Sequence, residues 1–258
     1  MPLHISRLAK VGSNYLQGSD FPVRMVFDHV MPSVRTAVGI FHEAFKQQND
    51  QTNEIRITIV LSPDPDLPQP KDLHDCNVFV YAELLPAPPS PPITISIQRG
   101  FRKNPLIKDT QWAQERKEIS QRRRSDEDEV VLQGLSDGCL FEGLSSNFGV
   151  LVNGILYTPP KGTVLEGATL ELILLVCEEN NIQVIREFPK IDQIHEWQGA
   201  FISSTTRCLL PINTIRIPET GLEVQLPIPP VFEHIAQLFK EKMIQNSTDV
   251  YSPSSSLL

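Results

Sequence analysis

The segment 142–152 constrains the fold of this 258-residue chain more than any other part of its sequence. It begins with Glu142 and Gly143, continues through small hydroxyl and amide side chains to Asn147, and becomes apolar over residues 148–152. Glycine, serine and asparagine are typical of tight turns. A short apolar run bounded by such a turn is typical of a buried strand. The segment therefore predicts a turn between two strands, with a carboxylate at its start.

The composition is that of an ordinary globular protein, with 40% hydrophobic and 21% charged residues. The length suits one large domain or two small ones, with enough residues to bury a core. A formal net charge of −8 argues against broad electrostatic binding to nucleic acid or to an anionic membrane. It leaves room for a local basic pocket that binds one phosphate. We therefore expect no nucleic-acid partner and no membrane partner.

The four cysteines, Cys76, Cys139, Cys177 and Cys208, stand far apart and form no CxxC pair. This spacing is typical of reduced thiols in an intracellular protein, and it predicts no metal site. The longest apolar run, residues 170–177, contains a glutamate and is too short to cross a bilayer. The N-terminus lacks the apolar core of a signal peptide.

Apolar periodicity predicts helices and strands in both halves of the chain. Helices are predicted over residues 2–16, from Pro32 onward, and over 110–124, 169–180 and 231–243. Strands are predicted over residues 55–60, 77–85, 93–98, 129–132, 139–141, 148–152, 155–158, 182–187, 200–203 and 208–217. Asn153-Gly154 predicts a two-residue hairpin turn. The charge run of residues 122–124 and 126–129 is interpreted as a solvated helix end and loop.

Strands with interspersed helices predict a two-domain α+β or mixed α/β protein. Residues 1–98 are predicted to form an N-terminal small α/β domain, and the basic segment 99–107 an interdomain joint. Residues 108–245 are predicted to form the C-terminal domain. The serine-rich residues 246–258 are predicted to be a disordered tail.

Four short motifs follow one another along the chain: Ile107-Lys108, E-G-x-S-S-N at residues 142–147, N-G-x-L-Y-T-P-P at residues 153–160 and L-x-G-x-T at residues 165–169. Their order resembles that of the class IV aminotransferases. The family consists of pyridoxal 5′-phosphate (PLP) enzymes of fold type IV: branched-chain and D-amino-acid aminotransferases and aminodeoxychorismate lyase. The chain is most similar to the D-amino-acid aminotransferase and lyase branch. The resemblance implies the two-domain fold of a D-amino-acid aminotransferase, with the cofactor bound by residues 108–245, and a homodimer.

The resemblance implies a role for each matching residue. Lys108 would tether the cofactor as a Schiff base and move the Cα proton. Glu142 would keep the pyridine nitrogen protonated, because a nearby carboxylate favours the charged form. Ala168 and Thr169 would begin a helix whose N–H groups and dipole favour the phosphate.

Four further positions are implied in the same way. Ser204 and Thr205 resemble the second phosphate turn of the family, in which Thr206 would lie close to the substrate carboxylate. Arg7 lies in a short H-x-x-R-L motif whose arginine contacts the phosphate.

The chain also departs from the family pattern. The family usually has strands before the H-x-x-R-L helix, whereas Met1 lies three residues before His4 here. The first strands of the N-terminal domain are therefore expected to be missing, as in a shortened or partial chain, with part of the substrate wall. Residues 109–112 differ from the usual sequence after the lysine, Leu170 stands where arginine is common, and Ser204 replaces a glycine.

The leading functional hypothesis is a reversible transfer of an amino group between an amino acid and a 2-oxo acid through Lys108. Two alternatives stay open: a lyase that eliminates pyruvate, and a catalytically silent relative with a binding or regulatory role. A structural protein that binds no PLP would require the order of the motifs to be coincidental. The compartment is expected to be the cytoplasm, or a plastid or mitochondrion if a targeting extension precedes this sequence.

Overall fold

The computed structural model describes residues 2–15, 21–45, 54–67, 72–135, 137–247 and 249–250. It divides into two compact units, the first formed by Met1–Ala87 with Asn246–Leu258 and the second by Pro88–Gln245. Across the described residues, no helix combines the length and the apolar character needed to cross a membrane. Nor do these residues contain a group of three or more His, Cys, Asp or Glu side chains that could hold a metal ion.

The first unit packs two helices against a two-stranded antiparallel sheet. Its elements are α1 (Pro2–Tyr15), α2 (Val23–Phe45), β1 (Ile55–Pro63) and β2 (Cys76–Leu84). Side chains alternate along both strands, as in any extended chain. Ile57 and Ile59 of β1 and Val78 and Val80 of β2 therefore face the buried stripe of α2.

Helix α2 begins at Val23, so the prediction that it starts at Pro32 is wrong. The apolar stripe continues upstream of the proline through Val26, Phe27 and Val30, which are all buried. Pro32 itself is exposed, so its ring points away from this core. Burial of the upstream residues therefore outweighs the loss of one backbone hydrogen bond at the proline.

The second unit is built on a nine-stranded sheet in which six strands close into a ring. β10 pairs with β3, β3 with β4, β4 with β5, β5 with β6, β6 with β9, and β9 with β10 again. The strands are β3 (Ile93–Arg99), β4 (Glu129–Gln133), β5 (Leu140–Gly143), β6 (Asn147–Val152), β7 (Ile155–Thr158), β8 (Val184–Arg186), β9 (Gly199–Ser204), β10 (Cys208–Ile217) and β11 (Leu222–Gln225). The ring encloses one apolar core, as in a small β-barrel.

Side chains from every strand of the ring fill this core. They are Ile93, Ile95, Ile97, Val131, Leu140, Phe148, Val150, Ala200, Ile202, Leu210, Ile212 and Ile215. A second core lies where α5 (Ala168–Glu179) and α6 (Pro230–Gln245) cover apolar side chains of β6, β7 and β9, among them Leu151, Leu156 and Phe201. Alternate residues of β6 and β9 thus face the two cores, which fixes their register.

Most predicted elements of the second unit are confirmed. Asn153 and Gly154 form the predicted hairpin turn, with φ values of 50° and 77°. The predicted helix 110–124 is instead two short helices, α3 (Gln111–Glu115) and α4 (Lys117–Gln121). Strand β11 was not predicted, because its short, mostly exposed sequence lacks a clear apolar period.

The division between the units falls after Ala87, whereas the sequence placed it at residues 99–107. β3 belongs to the second unit because it pairs in parallel with both β4 and β10. The predicted disordered tail, 246–258, lies mostly outside the described residues. Of those described, Val250 packs against the apolar core of the first unit, and its carbonyl accepts a hydrogen bond from Arg35 Nε at 2.8 Å.

The proline inside α2 generates a test of this packing. Proline is about 3 kcal/mol less favourable than alanine in a helix interior. It also restricts the unfolded chain, and this restriction favours folding by about 1 kcal/mol. Pro32→Ala should therefore raise the free energy of unfolding by about 1–2 kcal/mol. Chemical denaturation followed by circular dichroism measures this change. The neighbouring Ser33→Ala should change it by under about 0.5 kcal/mol. A loss of stability in Pro32→Ala would mean that packing requires the proline.

Candidate functional site

The candidate site is organised by Asn147, the first residue of β6. In the register of the ring, Asn147 lies opposite Glu142 of β5 on one side and Ser203 of β9 on the other. Neighbouring strands are about 4.8 Å apart, so these three residues form one row across the sheet. The Asn147 side chain is 5% exposed and donates from Nδ2 to the carbonyl of Leu165 at 2.7 Å. Leu165 N in turn donates to Glu142 Oε2 at 3.3 Å.

Helix α5 begins directly against this row. Gly167 is its N-cap, and a β-carbon at Gly167 would lie only 2.1 Å from Asn147 Oδ1. Glycine is therefore required at this position by the close approach of the two segments. The predicted phosphate-binding residues Ala168 and Thr169 follow at once and are buried. The structure thus brings the start of α5 next to Glu142.

The second predicted phosphate turn lies on the other side of Asn147. Ser204 ends β9, one residue beyond Ser203, and Arg207 N donates to the Ser204 carbonyl at 3.2 Å, which closes the turn. The hydroxyls of Ser204 and Thr206 are 3.5 Å apart. Thr205 is exposed at the tip of the turn. The start of α5 therefore lies against Asn147, and the Ser204–Thr206 turn continues from Ser203 in the same row.

Lys108 lies in the loop between β3 and α3, where its side chain is exposed. Arg102 stabilises this loop, since its Nη2 donates to the Ile107 carbonyl at 2.6 Å and its Nε to the Asn104 carbonyl at 3.0 Å. The Arg102 guanidinium also lies over the ring of Trp112, 5.3 Å from the centroid. The carbonyl of Ile107, the residue before Lys108, is thus bonded to a guanidinium that is itself fixed against Trp112.

The same loop is attached to the turn that follows Glu142. Asp109 Oδ1 accepts a hydrogen bond from Trp112 N at 3.1 Å, and Trp112 Nε1 donates to the Leu144 carbonyl at 3.0 Å. Arg116 Nη1 donates to the same carbonyl. The departure from the family pattern at residues 109–112 therefore supplies the residues that connect the Lys108 loop to the Glu142 turn.

A cavity of about 370 Å³ opens beside Glu142 and Arg102. Desolvation lowers the pKa of Arg102, and the negative charge of Glu142 opposes this effect, so the two groups interact across the cavity. Lys108 and the predicted phosphate- and substrate-binding residues at 168–169 and 204–206 are not among the lining residues. The lining residues are Phe101, Arg102, Leu132, Gly134, Leu135, Asp137, Phe141, Glu142 and Thr163. The structure brings Glu142, the start of α5 and the residue before the Ser204–Thr206 turn close to Asn147, with the Lys108 loop attached to the turn that follows Glu142. Of the predicted site residues, Glu142 alone borders the cavity.

Arg7 lies on α1 in the first unit and is half-buried. Its contact with a cofactor phosphate stays a prediction.

One buried carboxylate of the site was missed by sequence reasoning. Glu129 was interpreted as part of a solvated charge run, yet it is 3% exposed, and Glu127 of the same run is 2% exposed. Glu129 Oε2 accepts hydrogen bonds from the hydroxyls of Ser145 and Ser146 and from Arg207 Nη1. The available signal was that Glu129 begins an apolar strand, so its side chain could be expected to enter the sheet with its neighbours.

The family model for amino-transferase class IV matches residues 3–215. The chain belongs to this family. Recognition of the class IV aminotransferases from the motif order is thereby confirmed, and PLP is the cofactor that this family uses. The site described above contains the family's motif residues from Glu142 onward.

Individual relatives agree with this assignment. The chain is 34% identical over 82 residues to the D-alanine aminotransferase of Bacillus licheniformis, which corresponds to 31% of this chain and 29% of that protein. It is similar in structure to the branched-chain aminotransferase of Thermoproteus uzoniensis, with a TM-score of 0.70, 17% identity and coverage of 97% of this chain and 83% of the other. It is also similar in structure to an aminotransferase from Mycobacterium tuberculosis in its PLP-bound form. The TM-score is 0.69, the sequence identity is 15%, and the match covers 95% of this chain and 84% of the other.

These similarities confirm the predicted fold class, a mixed α/β protein of the fold type IV aminotransferases. The chain spans less than half the length of the curated relatives that it matches.

The close packing of the Glu142 turn gives a test of the site geometry. A β-carbon at Gly143 would lie 2.2 Å from Ser146 Oγ and 3.0 Å from Glu129 Cγ. Gly143→Ala should therefore lower the free energy of unfolding by about 1–3 kcal/mol. Adding Ser146→Ala removes the nearest atom, so the double variant should lose less than the sum of the two single losses, by at least about 0.5 kcal/mol. Strict additivity in chemical denaturation would contradict this arrangement.

Proposed function

We propose that this chain is a PLP-dependent aminotransferase that moves an amino group between an amino acid and a 2-oxo acid. The observation that carries the proposal is the strand register at Asn147. It puts Glu142 in one row with Asn147, which lies against Gly167 at the start of α5, and with Ser203, which precedes the Ser204–Thr206 turn. This arrangement supports a ring nitrogen bound at Glu142 and a phosphate bound by the donors of α5 and of the turn.

Glu142 is proposed to bind the pyridine nitrogen of the cofactor. Its side chain is 5% exposed and borders the cavity. A buried carboxylate interacts strongly with a nearby charge, so it favours the protonated pyridinium over the neutral ring. The bound cofactor would supply an electron sink for the substrate carbon, and Glu142 would maintain the charge that makes this sink effective.

Ala168, Thr169, Ser204 and Thr205 are proposed to bind the phosphate. By helix geometry, the first N–H groups of α5 have no acceptor within the helix, and the helix dipole favours an anion at this end. The hydroxyls of Thr169, Ser204 and Thr205 add further donors. Arg7 is proposed as a cation for the same phosphate, and Thr206 as a contact for the substrate carboxylate.

Lys108 is proposed to bind the cofactor covalently through its amine and to carry the proton removed from the substrate carbon. Support comes from the attachment of its loop, through Trp112, to the Leu144 carbonyl just beyond Glu142. By family resemblance we also propose a homodimer, in the cytoplasm or in a plastid or mitochondrion.

Covalent binding by Lys108 can be tested directly. The purified chain incubated with PLP should develop visible absorbance, and borohydride reduction should leave the mass of the cofactor on the peptide that contains Lys108. Lys108→Ala should abolish both signals because no other amine is proposed to reach the ring. Lys103→Ala is the matched control, since Lys103 lies in the same loop and pairs with Glu115 at 3.5 Å.

The outcomes separate the competing functions. A wild-type chain that takes up no PLP would contradict the proposal and favour a catalytically silent relative. Pyruvate release from an amino-acid substrate, without formation of the 2-oxo acid that corresponds to it, would favour the lyase alternative.

The role of Glu142 requires a separate test. Glu142→Gln keeps the shape of the side chain but removes its charge, so PLP should still bind while the transamination rate falls by on the order of 100-fold. Single-turnover kinetics with an amino-acid donor measure the rate, and absorbance titration measures PLP binding. Glu118→Gln, on the exposed face of α4, should leave both unchanged. An unchanged rate in Glu142→Gln would refute the assigned role.

A further inference from the structure

Glu129 is the centre of a buried polar network at the start of β4. Its Oε2 accepts hydrogen bonds from Ser145 Oγ at 2.8 Å, Ser146 Oγ at 3.0 Å and Arg207 Nη1 at 2.7 Å. Its Oε1 accepts one from Val130 N at 3.0 Å. Arg207 Nη2 also donates to Ser145 Oγ at 3.3 Å. One carboxylate therefore holds two hydroxyls and one cation.

The groups that meet at Glu129 come from the two turns of the candidate site. Ser145 and Ser146 belong to the turn between Glu142 and Asn147. Arg207 ends the turn that begins at Ser204. The backbone pairing of β6 with β9 reaches Asn147 and Ser203 and extends no further towards these turns. Beyond that pair, the Glu129 carboxylate joins the two turns through side chains.

The environment of this ion pair makes it sensitive to substitution. The Glu129 side chain is 4% exposed and that of Arg207 is 21% exposed, so solvent and salt screen their attraction only weakly. Loss of Arg207 would leave a buried carboxylate without its cation, and such a group reorganises its surroundings or takes up a proton. By contrast, Arg99 and Glu219 form a surface pair with side chains 52% and 53% exposed.

We propose that Glu129 and Arg207 are positioning residues that set the spacing between the Glu142 turn and the Ser204–Thr206 turn, and thereby the affinity for PLP. Glu129 touches no cofactor atom in this role; it acts through Ser145, Ser146 and Arg207. The inference rests on the proposed function, because the two turns are those assigned to the pyridine ring and the phosphate. It goes further by assigning a role to a carboxylate and an arginine that are not among the residues proposed to bind the cofactor or the substrate.

The test compares Arg207→Met with Arg207→Lys. Methionine removes the charge and keeps much of the length, whereas lysine keeps the charge. Because a hydrogen bond to a buried charge is worth about a tenfold change in an equilibrium constant, Arg207→Met and Glu129→Gln should each weaken PLP binding on the order of tenfold or more. Arg207→Lys should stay within about threefold of the wild type, since a single N⁺–H donor can still reach Oε2. Absorbance titration of the full chain with PLP measures these dissociation constants.

A second measurement examines the coupling without the cofactor. Amide hydrogen exchange of the free chain, under conditions where every variant is folded, should become faster in Arg207→Met at residues 143–147, which are more than fifty positions away in sequence. In Arg207→Lys, exchange there should stay close to that of the wild type. The control Arg99→Met removes an exposed cation from β3 and should alter neither the dissociation constant nor exchange at residues 143–147.

Each outcome decides the inference. Weaker PLP binding in Arg207→Met, rescue by lysine and faster exchange at residues 143–147 together would establish the positioning role. If the wild type binds PLP and Arg207→Met binds it equally tightly, this inference fails while the proposed function stands, even if the melting temperature falls. A wild type that takes up no PLP would refute the proposed function and the cofactor part of this inference together.

Discussion

The pairing of β6 with β9 is the interaction on which the second unit depends. Without it, the sheet would be an open path, and the interior side chains of β3, β4 and β10 would have no opposing strands to pack against. The same pairing joins segments about fifty residues apart in sequence, so it is a long-range contact that must form before the core is complete. Asn147, the first residue of β6, lies at one end of this pairing, so closure of the ring also assembles the candidate site. Fold and site therefore share one constraint.

Local patterns predicted the helices and strands but not the pairing of the strands into a closed ring. The alternation in β1 and β2, the apolar runs of β4 and β6 and the Asn153-Gly154 turn each carry their structure within a few residues, and all are confirmed. The ring depends instead on partners that are distant in the chain. Pro32 shows the converse: a strong local stop signal is overridden because the residues before it are buried against the sheet of the first unit.

The candidate site divides in the same way. The motif order predicted Glu142, Ala168, Thr169 and Ser204 as site residues, and each lies at or next to the end of a strand or the start of a helix, beside a turn with characteristic residue types. Glu129 was misinterpreted because its neighbours in the chain are charged, whereas its partner Arg207 is 78 positions away. The attachment of the Lys108 loop could not be predicted either, since it depends on Trp112 and Arg116 reaching one carbonyl oxygen at Leu144. Tertiary hydrogen bonds of this kind leave no periodic signal in the sequence.

Two buried carboxylates on neighbouring strands have different surroundings, and the roles proposed for them follow from this difference. Glu129, on β4, is surrounded by two hydroxyls, an arginine and a backbone N–H, so its charge is balanced within the protein and its geometry is fixed. Glu142, on β5, receives the N–H of Leu165 at a long 3.3 Å and borders a cavity. Glu129 is enclosed by its partners, so it can act only on the protein around it. Glu142 borders a cavity and can also act on what enters it, and this difference is the basis for proposing Glu142 as a ligand contact and Glu129 as a positioning residue.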